Sequence, residues 1–371
     1  MNHFSTADFH HMARALRLAE RGLYTTAPNP RVGCVLVRDG QVVGEGWHEY
    51  AGGPHAEVNA LKAAGQAAAG ATAYVTLEPC SHHGRTPPCA DALIQAGVAR
   101  VVAAMKDPNP RVAGEGLARL REAGITVVTG LLEDEAEGLN PGFVKRMRTG
   151  VPYLRCKLAA SLDGRTAMAS GESKWITSDP ARRDVHRLRA RSSAIMTGIG
   201  TVLADDPSLN VRLEGGETGR HPLRVILDPR LSTPDTAGML GLPGETLIAT
   251  ASDDEEPRER LEAAGAEVVR LAGGPDAIDL PALMRLLGER EMNEVLLETG
   301  ATLSGAALRA GIIDELVIYV APLLMGDAAR GLFHLPGLDT LAQRIELDIR
   351  DVRAVGRDWR VTARVRERQE P

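Results

Sequence analysis

The sequence predicts an α/β protein built from two domains, and three observations carry that expectation. Apolar residues switch repeatedly between strand and helix spacing, as in a sheet covered by helices. The chain has 371 residues, too many for one average domain. The pattern also runs out in a charged helical stretch ending at Gly150-Val151-Pro152 and then restarts. The boundary is placed there, with domains over 1–148 and 149–371.

The elements follow in order. Phe9, Met12, Ala13, Leu16 and Ala19 recur at helical spacing and predict a helix over 6–22. VGCVLV and QVVGEGW flank Arg38-Asp39-Gly40 and read as a hairpin. HAEVNALKAA is a helix, TAYVTL a strand, and PCADALIQAG a helix with Pro88 in its first turn. ARVVAAM, GEGLARLREAG and ITVVTG continue as strand, helix and strand, before the charged helical stretch EDEAEGLNPGFVKRMRTG. In the second half YLRCKLAAS is a strand, and SDPARRDVHRLRA is a helix capped by Ser178 or Asp179, with Pro180 at its first turn. SAIMTG is a strand leading to Gly198 and Gly200. LRVILD, ETLIAT, AEVVRL, NEVLLE and DELVIYVAP are further strands, with helices between several of them. RIELDIRDVRAVGRDWRVTARV alternates at period two on both sides of Gly356, which predicts a closing antiparallel hairpin. No internal repeat or low-complexity segment is visible.

Composition narrows the functional classes. Hydrophobic residues make up 44 % and aromatics only 3 %, so the cores must be aliphatic. A formal charge of -6 disfavours a general nucleic-acid binder, which needs a basic field. No apolar run is long enough for a bilayer, and the N-terminus is polar and helical rather than signal-like. Cys34, Cys80, Cys89 and Cys156 are too few for a disulfide framework, so a cytoplasmic protein is expected.

EPCSHHGRTPPC holds Cys80 and Cys89 with eight residues between them, one after a strand and one at a helix start. A metal and a helix N-terminus each favour a thiolate there. Upstream, PHAEVNAL places His55 at a helix start and Glu57 two residues later. His-x-Glu with a Pro-Cys pair is the signature of zinc deaminases, in which the glutamate is an acid/base and not a ligand. We therefore expect His55, Cys80 and Cys89 as zinc ligands with water fourth, and Glu57 to carry the proton to the departing amine. Each residue alone reads more simply as a helix cap or inert core, but their joint occurrence favours the catalytic reading. The enlarged loop SHHGRTPP offers His82, His83 and Arg85 to a phosphate or ribose, or is simply a solvated basic loop.

These motifs, with PNPRVGCVLV and KDPNPRVAGEG, resemble the deaminase domain of the bifunctional RibD family of riboflavin biosynthesis. That family also spaces its second cysteine away from the first. The resemblance implies a cytidine-deaminase-like fold and the substrate 2,5-diamino-6-(5-phosphoribosylamino)pyrimidin-4-one, whose 2-amino group is replaced by oxygen. It implies that Asn29 contacts the pyrimidine, with Asn109 a weaker candidate; either could be a plain turn residue.

The second half has no G-x-G-x-x-G after a strand. NEVLLETGATLSGAAL offers backbone N–H groups from Gly300 to Gly305 to a pyrophosphate, and MTGIGTVLADDP offers Gly198, Gly200 and Thr201 likewise. Each alone also fits an ordinary strand–helix turn. Only five of the 43 basic residues are lysines, so Lys157 on a strand marks a place where arginine was not used. Trp175 sits in a polar stretch, which weakens a plain packing role.

KLAASLDGRTAMASGESKWIT, ADDPSLNVR and LLETGATLSGAAL resemble the reductase domain of the same family. That implies a dihydrofolate-reductase-like fold and NADPH, with hydride delivered to C1′ of the ribosyl group to give ribityl. It further implies Ser173, Arg189, Leu209, Arg212 and Glu298 along the substrate, the two arginines as phosphate clamps. Ala159, Trp175, Thr201, Asp205 and the run Gly300, Ala301, Thr302, Leu303, Ser304, Gly305 and Ala306 would lie along the cofactor. Lys157 and Glu298 would bracket the pyrimidine or ribose. The expected partner is thus a small phosphoribosyl pyrimidine, not a nucleic acid or a membrane. A homo-oligomer is compatible, with DELVIYVAP either at a dimer interface or central. A nucleic-acid base deaminase is the alternative, disfavoured by the acidic balance and few aromatics.

Overall fold

A computed structural model describes residues 4–81, 87–110, 112–213, 220–274 and 276–366. Its contacts divide into two compact units, Met1–Val151 and Pro152–Pro371.

In the first unit α1 spans Thr6–Glu20 and opens on a capping box: Asp8 N–H donates to the Ser5 hydroxyl, and Ser5 N–H donates to the Asp8 carboxylate. The helix stops two residues short of its expected end, just before Gly22, a residue that weakens helices. There follow β1 (Gly33–Arg38), β2 (Gln41–Trp47), α2 (Ala56–Ala64), β3 (Thr72–Val75), α3 (Cys89–Gln95), β4 (Arg100–Ala103), α4 (Glu115–Glu122), β5 (Thr126–Thr129), α5 (Glu133–Leu139) and α6 (Pro141–Thr149). Pro88 stands just outside α3, as its cap rather than in its first turn. The charged stretch read as one helical run is two helices. Pro141 starts α6, and Asn140 leaves helical geometry to accommodate it.

The sheet order is β2-β1-β3-β4-β5; β1 pairs antiparallel with β2 and β3, and β3, β4 and β5 run parallel. Strand alternation sorts the core into two layers. Leu36, Ala73, Val75 and Val101 face Ala56 and Ala60 of α2, Leu93 of α3 and Leu117 of α4. Val35, Tyr74 and Val102 face Met12 of α1, Ala136 of α5 and Val144 of α6. The sheet is thus sandwiched between helices, and aliphatic burial holds both faces.

The second unit contains β6 (Tyr153–Ser161), β7 (Arg165–Ala167), α7 (Asp179–Arg191), β8 (Ala194–Gly198), α8 (Ile199–Asp205), β9 (Leu223–Leu227), β10 (Thr246–Thr250), α9 (Glu255–Ala263), β11 (Glu267–Arg270), β12 (Ala272–Gly274), β13 (Ala277–Ile278), α10 (Leu280–Glu289), β14 (Glu294–Glu298), α11 (Ala301–Arg309), β15 (Glu315–Ala321), β16 (Arg330–Gly331), β17 (Leu347–Val355) and β18 (Asp358–Val365). Nine strands form one sheet in the order β11-β10-β9-β8-β14-β6-β15-β18-β17. It is parallel from β11 to β15, and the β17–β18 hairpin adds two antiparallel strands. Both edges of β15 are therefore paired within the unit, which makes DELVIYVAP a central strand. On one face Ala181, Val185 and Leu188 of α7 cover Leu296, Val317 and Tyr319.

Candidate functional site

His55 caps α2, Cys80 follows β3 by a short turn, and Cys89 is the first residue of α3. Three separate pieces of chain thus end at one point. His55 Nδ1 lies 3.6 Å from Cys80 Sγ and 3.3 Å from Cys89 Sγ. All three donor atoms fall within 4.8 Å of one another. A tetrahedral zinc with ordinary Zn–S and Zn–N bonds spaces its ligand atoms by roughly 3.5–3.8 Å, so the donor set fits that ion.

The electrostatics suit a bound cation. A hydrogen bond from the Cys89 thiol pulls the Cys80 thiol down to about 4, against burial and with help from His55. The Cys89 N–H also donates to Cys80 Sγ at 3.3 Å. Cys89 moves the other way, raised by sharing its proton with Cys80 and then by burial. His55 is raised, chiefly by its contact with Cys80. Glu57 is 3 % exposed. Burial lifts its carboxyl to about 7 and the Cys80 charge adds to that, while His55 and the Cys89 thiol pull back. A cation between the thiolates would act in the lowering direction.

Glycine lets α2 reach this position. A Cβ on Gly46 would stand 2.4 Å from both the Ala56 carbonyl oxygen and the Ala60 nitrogen; one on Gly44 would stand 2.3 Å from the Ala60 carbonyl. The backbones of β2 and α2 therefore touch, which brings His55 and Glu57 over the sheet. On the cysteine side, buried Glu78 accepts N–H groups from Asp107 (3.1 Å), Gly114 (2.9 Å), Gly116 (3.0 Å) and Leu117 (3.3 Å). This carboxylate pins the chain two residues before Cys80 to the start of α4 and to the turn holding Asn109. Asn29 lies beside His48, its Nδ2 3.1 Å from the ring Nε2. His82, His83 and Arg85 lie outside the described residues.

In the second unit β8, β14 and β6 are neighbours in the parallel sheet and deliver their residues to one end of it. Glu298 ends β14 and pairs in register with Lys157 of β6. Arg189, from the last turn of α7, holds Glu298 through two bonds of 2.6 and 3.0 Å, and Lys157 Nζ lies 4.0 Å away. Burial alone would raise the Glu298 carboxyl, but Arg189 and Lys157 outweigh it and set it at about 2. Burial lowers Lys157, and Glu298 opposes that shift. Arg189 also donates to the Asn210 carbonyl at 3.1 Å, next to buried Leu209. The Arg212 N–H donates to His186 Nδ1 at 3.2 Å. Burial, Arg189 and Arg212 together lower His186 to about 4, so its ring is neutral near pH 7. The structure draws Arg189, Glu298, Lys157 and Leu209 into one cluster, and the exposed Arg212 borders it through its backbone bond to His186 and its charge on that ring.

Two helix starts border this cluster. Gly198 caps α8 and Gly300 caps α11, and a Cβ on Gly300 would meet nothing within 4 Å. The run from Gly300 to Ala306 divides in two. Ser304 N–H already donates to the Gly300 carbonyl at 3.1 Å, and Ser304 is fully buried beside Cys156. Gly305 is a packing glycine, since its Cβ would stand 2.1 Å from the His334 carbonyl. The helix start, Gly300 to Leu303, is the part with amides free of helix partners. Trp175 is 70 % exposed, with the Arg182 guanidinium 4.6 Å over its ring, so it is not a core residue. Ser173 beside it is exposed, and Lys174 binds Asp205 of α8 at 2.8 Å, tying the 173–175 segment to that helix. Ala159 lies two residues beyond Lys157 on β6, half-buried. The exposed indole, the open Gly300 and the two helix starts suit a dinucleotide.

Three residues of these sites escaped the sequence: His48, Glu78 and His186. Each acts through partners remote in sequence, and only the Glu-Pro-Cys adjacency hinted at Glu78.

Comparison with known proteins agrees with this geometry. Residues 5–105 match the family described as cytidine and deoxycytidylate deaminase zinc-binding region, and 152–361 match the RibD C-terminal domain. The riboflavin biosynthesis protein RibD of Escherichia coli (strain K12) is 55 % identical over 95 % of this chain and 97 % of its own. That of Haemophilus influenzae is 49 % identical over 98 % of each. The structure of Acinetobacter baumannii RibD, form 1, superposes with a TM-score of 0.91 at 48 % identity, covering 97 % of this chain and 99 % of that one. A Thermotoga maritima structure described as a diaminohydroxyphosphoribosylaminopyrimidine deaminase/5-amino-6-(5-phosphoribosylamino)uracil reductase superposes at 0.85 with 34 % identity, over 97 % and 99 %. With a zinc-deaminase unit followed by a dihydrofolate-reductase-like unit, the chain belongs to the RibD family of bifunctional deaminase–reductases of riboflavin biosynthesis.

Proposed function

We propose that the chain deaminates 2,5-diamino-6-(5-phosphoribosylamino)pyrimidin-4-one in its first 148 residues and reduces the resulting 5-amino-6-(5-phosphoribosylamino)uracil, with NADPH, in the remainder. The observation that carries this is the convergence of His55, Cys80 and Cys89 beside a buried carboxylate, Glu57. A purely structural metal site has no use for such a group.

Bound zinc supplies an activated water at neutral pH. The chain's own residues do the rest. His55, Cys80 and Cys89 hold the ion, and two thiolates offset its charge. Glu57, buried beside these ligands, takes the proton from water and hands it to the leaving nitrogen. Asn29 orients the pyrimidine, and His82 and Arg85 take the phosphate or ribose.

In the reductase, NADPH supplies the hydride to C1′. The helix starts at Gly198 and Gly300 receive its pyrophosphate. Ala159, Trp175, Thr201, Asp205 and the 300–306 run line the cofactor, with Ser304 and Gly305 acting as the packed floor. Arg189 and Arg212 clamp the substrate phosphate; Ser173 and Leu209 complete its wall. Lys157 and Glu298 face the reacting sugar as an opposed charge pair fixed by Arg189.

The test is product analysis by mass spectrometry. Without NADPH the diaminopyrimidine should lose one amino group as ammonia, and with NADPH the product should gain two hydrogens. A Glu57→Gln variant should keep about one zinc per chain and release no ammonia. Ammonia release at the wild-type rate by that variant contradicts the assignment.

A further inference from the structure

The His48 ring is 3 % exposed and makes three directed contacts. Its Nδ1 lies 3.0 Å from the Pro54 carbonyl oxygen. Its Nε2 lies 3.1 Å from Asn29 Nδ2. Its ring packs nearly perpendicular to that of His55, centroids 5.4 Å apart. The backbone fixes it further: His48 N–H donates to the Val32 carbonyl at 2.9 Å. The turn before Asn29 is pressed on it, because a Cβ on Gly22 would stand 2.8 Å from the His48 carbonyl oxygen.

The chemistry of these contacts has one solution. A carbonyl oxygen only accepts, so Nδ1 must carry the hydrogen. A neutral imidazole then leaves Nε2 as an acceptor. An acceptor at that place can only be satisfied by the NH₂ end of the Asn29 amide. The orientation of that amide is therefore set by the Pro54 carbonyl acting through the ring. Asn29 is left with its Oδ1 and its second N–H for a ligand, an acceptor beside a donor. The same Pro54 immediately precedes His55, so the amide and the candidate metal ligand share one anchor.

We propose that His48 is a positioning residue for the deamination step: it locks the Asn29 side chain so that it presents an acceptor–donor pair to the pyrimidine edge, in register with the ring carbon to be attacked. The chemical class thereby selected is a pyrimidine whose edge offers a donor next to an acceptor, as a lactam N–H beside its carbonyl does. This inference rests on the reading of Asn29 as a substrate contact.

A double-mutant cycle tests both and keeps them apart. The variants are Asn29→Ala, His48→Phe and the pair, each assayed as full chain for ammonia release from the diaminopyrimidine. His48→Phe keeps a ring against His55 and removes the acceptor. NADPH oxidation with the deaminated substrate and zinc content report folding and metal binding. The inference predicts that His48→Phe raises the deaminase KM about tenfold, the size of a lost directed hydrogen bond. In the Asn29→Ala background the same substitution should change KM less than about twofold. His48→Gln, which restores an acceptor to Asn29, should recover part of the loss. If Asn29→Ala leaves KM unchanged, the substrate-contact reading fails. If Asn29→Ala raises KM and the His48→Phe effect simply adds to it, the positioning role fails. Loss of zinc in His48→Phe also overturns it, because the ring would then act through His55.

Discussion

Glu298 shows how much one side chain can carry. It stands between Arg189 and Lys157, and these hold its carboxyl at about 2 against its ordinary 4.5. A folded-state value below the unfolded one means stability that is complete above pH 4.5 and lost as pH falls toward 2. The shift corresponds to about 3 kcal/mol. Urea unfolding should therefore show Glu298→Gln well below wild type at pH 6, with the gap narrowing as pH is lowered to 3. A gap that stays constant would mean that Glu298 is not charged and paired in the fold. Lys157 was legible in the sequence because lysine is scarce and this one lies on a strand. Arg189 as its neighbour came only from resemblance, and His186 could not be read at all. The His186 contact with the Arg212 backbone spans 26 residues, and no helix or strand spacing encodes it.

At the scale of elements the decisive feature is close backbone approach. β2 alternates glycine with polar and apolar residues, which reads as a hairpin strand but not as a platform for α2. The contact at Gly46 turns that strand into one. Gly46→Val should force α2 away, cost the first unit at least about 3 kcal/mol, and lower zinc content by displacing His55; thermal unfolding and metal analysis check it. Gly300→Ala is the converse case. Its Cβ would touch nothing in the protein and its φ of -82° is unstrained. The variant should fold as well as wild type yet show a severalfold higher KM for NADPH, because the methyl would take space meant for the cofactor. An unchanged KM would move the pyrophosphate elsewhere. Strand and helix order was readable from period alone. What periodicity did not show was the break at Asn140-Pro141, where a local proline constraint overrides a continuous charged pattern, and the split of the 300–306 run into a free helix start and a buried floor.

For the molecule as a whole, the two units carry different chemistry on separate residue sets. Aliphatic patterning made the α/β class legible in both. The nine-stranded order was not legible, because strand pairing across a sheet leaves no spacing in the chain. Among the described residues no helix is long and apolar enough to cross a membrane. The acidic balance fits a small phosphoribosyl pyrimidine substrate better than a nucleic acid, which needs a basic field. Removing the metal with a chelator should abolish ammonia release and leave NADPH oxidation with the deaminated substrate intact, both read on the same sample; loss of the two together would tie the reductase to the metal. The account depends most on the ligand set of that metal. Zinc-edge X-ray absorption of the metal-loaded chain should find two sulfurs at about 2.3 Å and one imidazole nitrogen at about 2.0 Å, with a single solvent oxygen completing the shell. A second imidazole in the fourth position, closing the site with protein, would contradict it.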